Sequence, residues 1–401
     1  MKIIVQKFGG TSVSTKERRQ RVIEKIIKAK NAGYSPVVVV SAMGRKGEPY
    51  ATDTLLSLVS NELKKNNLAI DLLMSCGEII STVVMADELL SKNIDAVPLT
   101  GGQAGILTDD NYSNASILKL ECDKILDVVE ENKIPIVAGF QGISENGFIT
   151  TLGRGGSDVT AVLLGGALKA EKVEIYTDVD GIMTADPRIV SDATLIKEIS
   201  YNETFQFSHE GAKVIHPRAV EIAMNENIPI VIKNTLTNCD GTLINNISDL
   251  NLNNIITGIT HTNDRIQIKI ELEQNKENES YFRILDILAE NSISIDLINV
   301  FPRESIFTID GKDFEKFSSI MNKINLKYSH IDSCSKIAII GNRMRGIPGV
   351  MAKIIYVLMN ENIEVLQTAD SHATIWCLVK DIHTEKAIKA LHNAFNLSNN
   401  K

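Results

Sequence analysis

Lys7-Phe8-Gly9-Gly10-Thr11-Ser12 sets a cation beside two adjacent glycines. Glycine lets a backbone approach a ligand closely and aim its N–H groups at it, and lysine adds a full positive charge, so the chemistry on offer is phosphate binding. Gly153-Arg154-Gly155-Gly156-Ser157-Asp158 places an arginine among glycines. With so little bulk around it, that guanidinium can fork onto a carboxylate or a phosphate. Thr177-Asp178, then Gly181, Met183 and Asp186-Pro187-Arg188, would suit the base, ribose and phosphates of a nucleotide. Glu78, in Ser75-Cys76-Gly77-Glu78, is a carboxylate in an apolar stretch. It suits a ligand amino group or plain solvent equally well.

These groups need elements to position them. Ile3-Ile4-Val5 reads as a buried parallel strand, so Gly9-Gly10 falls in a strand-to-helix turn. Ser14 and Glu17 are spaced as a capping box for a helix running to about Asn31, whose N-terminus adds partial positive charge to the turn. The turn has neither the P-loop nor the dinucleotide glycine spacing, and on its own it also suits a structural turn with a surface lysine. A second strand, 36–40, leads into Ser41-Ala42-Met43-Gly44 and a polar loop before Thr52. In open α/β sheets ligands sit beyond the carboxyl ends of strands, which places Ser41 and Thr52 near a small substrate, or in an ordinary surface loop. Residues 68–90 read as one or two helices. Further strands are expected at 96–99, over 134–142 running into a glycine turn, at 173–178 and at 229–233, with Gly241-Thr242-Leu243-Ile244 as the sheet edge. Ser157 and Asp158 suit the first turn of a helix over 159–170. His216 precedes a proline and reads as an ordered loop residue.

The chain has 401 residues, enough for two or three domains, and a formal net charge of −8. Its one basic block, Arg18-Arg19-Gln20-Arg21, reads as a helix face, so nucleic acid is not an expected partner. No apolar run approaches the length of a membrane span, and no secretory segment opens the chain, so no membrane is expected either. Five scattered cysteines form no CxxC pair, which argues against zinc or a disulfide framework and for the cytoplasm.

Around 245–254 the composition shifts to Asn, Ser and Asp, a linker. Beyond it, residues 283–295 align without a gap on 353–365, with apolar positions coinciding. Each copy reads as helix, turn and strand preceded by a strand, giving two tandem β-α-β units.

Taken in order, Lys7-Phe8-Gly9-Gly10-Thr11-Ser12, Ser41-Ala42-Met43-Gly44, Gly153-Arg154-Gly155-Gly156-Ser157-Asp158, Tyr176-Thr177-Asp178 and Thr184-Ala185-Asp186-Pro187-Arg188 resemble the successive motifs of aspartokinase. The tandem repeat resembles the pair of ACT regulatory domains in that family, with Gly346-Ile347-Pro348-Gly349-Val350 at the Pro-Gly turn of the second. The loop 45–54 and the tail are most similar to bacterial aspartokinases that respond to diaminopimelate. The resemblance implies a three-layer αβα amino-acid-kinase fold with a mainly parallel sheet over 1–245. Two ferredoxin-like βαββαβ ACT domains would follow at 255–330 and 331–401, with a strand exchanged between them.

The implied activity is ATP-dependent phosphorylation of the L-aspartate side-chain carboxylate to 4-phospho-L-aspartate. That is the first step toward lysine, diaminopimelate, threonine and methionine. The resemblance then implies roles. Lys7, with Phe8, Gly9 and Gly10, would hold the ATP phosphates, and Ser41, Thr177, Asp178, Met183, Asp186, Arg188 and Lys213 would line the rest of the nucleotide site. Arg154, Gly155, Gly156 and Ser157 would grip an aspartate carboxylate, Glu78 its amino group, and Thr52 would orient it. Mg²⁺ would arrive as the ATP complex, ordered by Asp178 through water. A homodimer through the ACT domains is implied, with feedback by lysine, threonine or meso-diaminopimelate. Effector segments are expected at 296–302, 341–350 and 367–371, including Arg343 and Arg345. A kinase for glutamate or N-acetylglutamate is the alternative within the enzyme class, and the tandem repeat and Glu78 speak against it. A non-catalytic amino-acid sensor is the alternative outside it, and Lys7, Glu78, Arg154 and Asp178 speak against that. Length argues against a fused dehydrogenase.

Overall fold

Ile3, Ile4 and Val5 are buried in a strand that has neighbours on both sides. The computed structural model that shows this describes residues 1–212, 214–246, 255–271, 277–324, 326–341, 344 and 347–399. It divides into two compact units. The first comprises Met1–Ile182, Leu195–Ser208 and Lys213–Leu252, and the second Met183–Thr194, His209–Ala212 and Asn253–Lys401.

The chain begins β1 (Ile3–Phe8), α1 (Gly10–Val13), α2 (Lys16–Asn31), β2 (Ser35–Val40), α3 (Thr52–Leu56) and α4 (Asn67–Leu90). It continues β3 (Ala96–Leu99), β4 (Ile106–Thr108), β5 (Ile117–Leu120), α5 (Asp123–Glu130), β6 (Ile134–Ala138), β7 (Gln141–Ser144) and β8 (Ile149–Thr151). Then come α6 (Gly156–Ala167), β9 (Lys172–Thr177), β10 (Glu198–Ser200), α7 (Tyr201–His209), α8 (Pro217–Glu226), β11 (Ile230–Asn234) and β12 (Thr242–Asn245).

Eight of these strands form one sheet in the order β10-β12-β11-β9-β1-β2-β6-β3, parallel except where β11 meets β12. Residues 36–40 are buried at every position, which requires cover on both faces and hence three layers. On one face Val22, Ile23 and Ile26 of α2 and Met85, Ala86 and Leu89 of α4 pack against Phe8, Val38 and Val40. Helix α6 packs across β1, β2 and β9 and against α8. A smaller sheet, β5-β4-β7-β8, adjoins the start of α4.

The local expectations need three adjustments. Residues 68–90 form a single helix, long and apolar enough by length and composition to cross a membrane, yet packed against β3, β6, β8 and α3. The cap of α2 is Thr15, whose Oγ1 accepts from Arg18 N at 3.3 Å. Ser14 instead closes the short α1 turn, with Oγ donating to Thr11 O. Finally, β12 is not the sheet edge, because the short strand β10 lies outside it.

The second unit carries β13 (Gly258–Glu271), α9 (Glu277–Glu290), β14 (Ile295–Phe301), β15 (Glu304–Asp310) and α10 (Phe314–Lys323). A matching set follows: β16 (Tyr328–Ile340), α11 (Val350–Asn360), β17 (Gln367–Asp370), β18 (Thr374–Lys380) and α12 (Thr384–Ala394). They form one antiparallel sheet, β14-β15-β13-β16-β18-β17. Strand β13 serves both halves. Its residues 258–262 pair with 336–340, whereas 265–271 pair with β15. The repeat is visible in the backbone. Ser292 and Asn362 occupy matching positions after their helices, both at positive φ (54° and 55°), and each is followed by an isoleucine whose N–H closes on the helix at 2.9 Å. Of the expected linker 245–254, Asn245 ends β12, and 247–254, like Arg343, Arg345 and Gly346, lie outside the described residues.

Candidate active site

Strand β1 marks the point where the order of the sheet reverses, with β2 on one side and β9 on the other. The crevice beyond the carboxyl end of such a strand is the binding position of open α/β sheets. Lys7 points into an ion pair there, its Nζ 2.6 Å from Asp158 Oδ1. Asp158 is in the first turn of α6, and its other oxygen accepts from His216 N at 3.3 Å. A carboxylate at a helix N-terminus is electrostatically favoured, so α6 presents Asp158 as a fixed anchor for the lysine.

The turn after β1 is tightly enclosed. A Cβ on Gly10 would lie 2.4 Å from Ala42 O, and Gly44 N donates to Gly10 O at 3.0 Å. This brings the loop after β2 onto the glycine turn, with Ser41 N bonded to Phe8 O at 3.2 Å. The Phe8 ring itself is buried and stacked on Tyr176, so only its backbone can face a ligand. Below the crevice a polar network ties β1, β9 and β11 together. Buried Glu174 accepts from Gln6, Tyr176 and Lys233, each at 2.9 Å. Burial alone would raise its pKa, but Lys233, Gln6 and Lys172 outweigh that and hold it at about 2.

Glu78 comes from α4, whose start is anchored by fully buried Asp71. That carboxylate accepts from the backbone N–H and hydroxyl of both Ser113 (2.9 and 3.1 Å) and Thr151 (2.7 and 2.9 Å). Two turns on, along the same helix face, Glu78 is 3% exposed. Its Oε1 accepts from Ala42 N at 3.2 Å, and its buried Oε2 has no hydrogen-bond partner among the described residues. Burial pushes the carboxyl up to about 8. A Cβ on Gly77 would lie 2.7 Å from Ala42 Cβ and 2.9 Å from Tyr50 O, so α4 meets the loop after β2 closely at this position. Half-buried Thr52 opens α3 just beyond Tyr50.

Arg154 projects from a turn in which Gly153 and Gly155, on either side of it, take φ 75° and 71°, the left-handed region that favours glycine. A Cβ on Gly155 would sit 2.1 Å from His216 Cγ. The Arg154 side chain is exposed and forms no ion pair among the described residues. Gly156 and Ser157 open α6, and Gly139 at the end of β6 is close enough that its Cβ would meet Ser157 Oγ at 2.9 Å. Lys7, Gly9, Gly10, Ser41, Glu78, Gly155, Gly156 and Ser157 are thus carried by turns and helix positions at one end of the sheet. Thr177 and Asp178 lie at the end of β9, where Asp178 Oδ2 is 2.6 Å from Arg45 Nη2.

Met183, Asp186 and Arg188 belong to the second unit. There Asp186 pairs with Arg188 at 2.6 Å, and that bond keeps the Asp186 carboxyl below its usual range. Lys213 lies outside the described residues. In the sequence Asp158 is legible only as a helix-start residue and Arg45 only as part of a polar loop, since neither motif nor spacing names their distant partners.

The Amino acid kinase family model matches residues 2–234, and an ACT domain model matches 329–393. Aspartokinase 1 of Bacillus subtilis (strain 168) is 42% identical over 404 residues, covering 99% of this chain and 100% of that one. The chain belongs to the aspartokinase family. The structure of E. coli aspartokinase III with aspartate and ADP (R-state) is similar, with TM-score 0.79 and 25% identity over 98% of this chain and 100% of that one. That of the same enzyme with lysine and aspartate (T-state) gives 0.77 at 25% identity, over 98% and 99%. An aspartokinase has to bring two anions together, a carboxylate and a triphosphate. Lys7 and its glycine turn stand at the carboxyl end of β1, the buried Glu78 carboxylate meets the loop after β2, and exposed Arg154 forms no ion pair among the described residues.

Proposed function

We propose that the crevice transfers the γ-phosphoryl group of ATP to the side-chain carboxylate of L-aspartate, giving 4-phospho-L-aspartate and ADP. The observation that carries this reading is Glu78, buried with one unpartnered oxygen beside the loop that closes on Gly10. An α-ammonium group placed there supplies the missing donor and the missing counter-charge. Arg154 and Ser157 take a substrate carboxylate and Thr52 orients it. The side-chain carboxylate oxygen attacks the γ-phosphorus in line while the bond to the β,γ-bridging oxygen breaks. The attacking group is already an anion, so no general base is required, and the rate comes from positioning and charge neutralisation. Lys7, steered by Asp158, meets the charge on the phosphates. Phe8, Gly9, Gly10, Ser41, Thr177, Met183, Asp186, Arg188 and Lys213 complete the nucleotide side. Mg²⁺ comes with the ATP, ordered through water by Asp178.

We assign 1–245 to the kinase domain and 255–330 and 331–401 to the two ACT domains. Strand β14 ends its sheet, meets β17 where Gln367 Nε2 donates to Asn299 Oδ1 at 2.6 Å, and exposes Ile298, Val300 and Phe301 (42, 56 and 47%). An apolar edge of this kind favours side-by-side pairing with a second copy. Lysine, threonine or meso-diaminopimelate would bind along 296–302 and 341–350, with 367–371 nearby, and lower activity by favouring one of two packings. The cytoplasm, which supplies ATP and keeps the five unpaired cysteines reduced, is the working compartment. The test is ADP release with L-aspartate, L-glutamate and N-acetylglutamate in turn, each with and without the three amino acids. Turnover on aspartate alone, suppressed by one of them, is expected. Tight amino-acid binding without turnover would instead mark a sensor.

A further inference from the structure

A side chain that starts on the loop after β2 and ends at the residue after β9 has to cross the carboxyl end of β1, because β1 lies between those strands and pairs in parallel with both. Arg45 makes that crossing, its Nη2 2.6 Å from Asp178 Oδ2. The end it crosses carries Lys7, Gly9 and Gly10. The base of the loop is fixed: Gly44 N bonds Gly10 O at 3.0 Å, and Arg45 N donates to Glu48 Oε2 at 2.5 Å. Gly44 takes φ 89°, and a Cβ there would fall 2.7 Å from Glu48 Oε2. The guanidinium, by contrast, is free to move, since the side chains of the pair are 69% and 45% exposed. An exposed pair of this kind is weak and exchanges readily.

Charge decides what it exchanges with. The Lys7 ammonium is already held by Asp158, so a second cation beside it strengthens the site for an incoming polyanion. Arg45 is a guanidinium suited to a forked contact with phosphate, held over the cradle by an anion that stands where an anionic ligand would come. We propose that Arg45 is a phosphate-binding residue of the nucleotide site, and that Asp178 holds it in place until the nucleotide phosphates displace Asp178 as its partner. This rests on the crevice being the ATP site. Displacement also frees the Asp178 carboxylate to face the hydrated cation that accompanies the nucleotide.

Binding of ATP and of AMP to the full chain, followed by calorimetry in EDTA and then with Mg²⁺, tests this without turnover. Arg45→Ala is expected to weaken ATP about 10–100-fold, with AMP within about 2-fold, and Arg45→Lys to recover part of the loss. Asp178→Asn removes the competing anion and is expected to tighten ATP several-fold in EDTA. In turnover Arg45→Ala lowers kcat roughly 10-fold or more and leaves the KM for aspartate in place. Equal ATP affinity in wild type and Arg45→Ala, or weaker metal-free binding in Asp178→Asn, would leave a surface ion pair only. If wild type binds ATP but does not turn over aspartate, the proposed reaction fails while the binding comparison still decides the role of Arg45.

Discussion

Glu78 is an expensive residue to keep. Its folded pKa of about 8 stands above the ordinary carboxyl value of 4.5, so the folded state binds more protons than the unfolded one between those limits. The Glu78 contribution to stability is therefore fully present below about pH 4.5 and is lost as pH rises toward 8. Glu78→Gln should show a flatter stability profile across that window and unfold roughly 1–4 kcal/mol later than wild type at pH 8, read by urea titration at several pH values. The same variant should raise the KM for aspartate at least about 10-fold while the KM for ATP stays near normal, because a buried charge partner for the ammonium is gone. Lys7→Ala should act the other way, lowering kcat by about 10²–10³ as a charge-neutralising donor is lost. At this scale the sequence was informative where residue type alone speaks. A lysine beside two glycines, an arginine between glycines and a carboxylate in an apolar helix can be picked out without a structure. Asp158 and Arg45 could not, because their roles depend on which strand lies beside β1.

Among the elements, α4 and the start of α6 would carry the aspartate side of the proposed site, and both depend on close approach. Gly155→Ala combines a positive φ of 71° with a Cβ that would lie 2.1 Å from His216 Cγ. It should destabilise the chain by about 1–3 kcal/mol and raise the KM for aspartate, as measured by urea titration and steady-state kinetics on the same preparation. The main strands and the long helices could be read from β-branched runs and helical periodicity. What escaped is short or competitive. Strand β10 spans only Glu198–Ser200, too few residues for a periodic signal, and its presence is what removes β12 from the edge. The cap of α2 moved one residue because Ser14 spends its hydroxyl on the preceding turn.

Across the whole molecule, packing does not follow sequence order. Met183–Thr194 and His209–Ala212 fall within the stretch that matches the kinase family, yet both pack in the second unit. Ala185 and Val190 lie in a core with Ile337, Ile388 and Leu391, and Thr184 Oγ1 meets His392 Nε2 at 2.9 Å. Glu210 pairs with buried Lys336 at 2.7 Å. The internal repeat foretold the symmetric second unit, but no local pattern marks a segment that joins a core formed some 200 residues later. His392→Ala removes the buried partner of Thr184 and should destabilise the chain by about 1–3 kcal/mol, read by urea titration. The central claim concerns the acyl phosphate, and trapping it is the most direct check. The purified chain is incubated with ATP, Mg²⁺, hydroxylamine and either L-aspartate or L-glutamate, and the hydroxamate is located by mass spectrometry. The account predicts hydroxamate on the side-chain carboxyl of aspartate, none from glutamate, and almost none with Lys7→Ala. Folded wild-type protein that yields no aspartyl hydroxamate, or yields the glutamyl product instead, would contradict it.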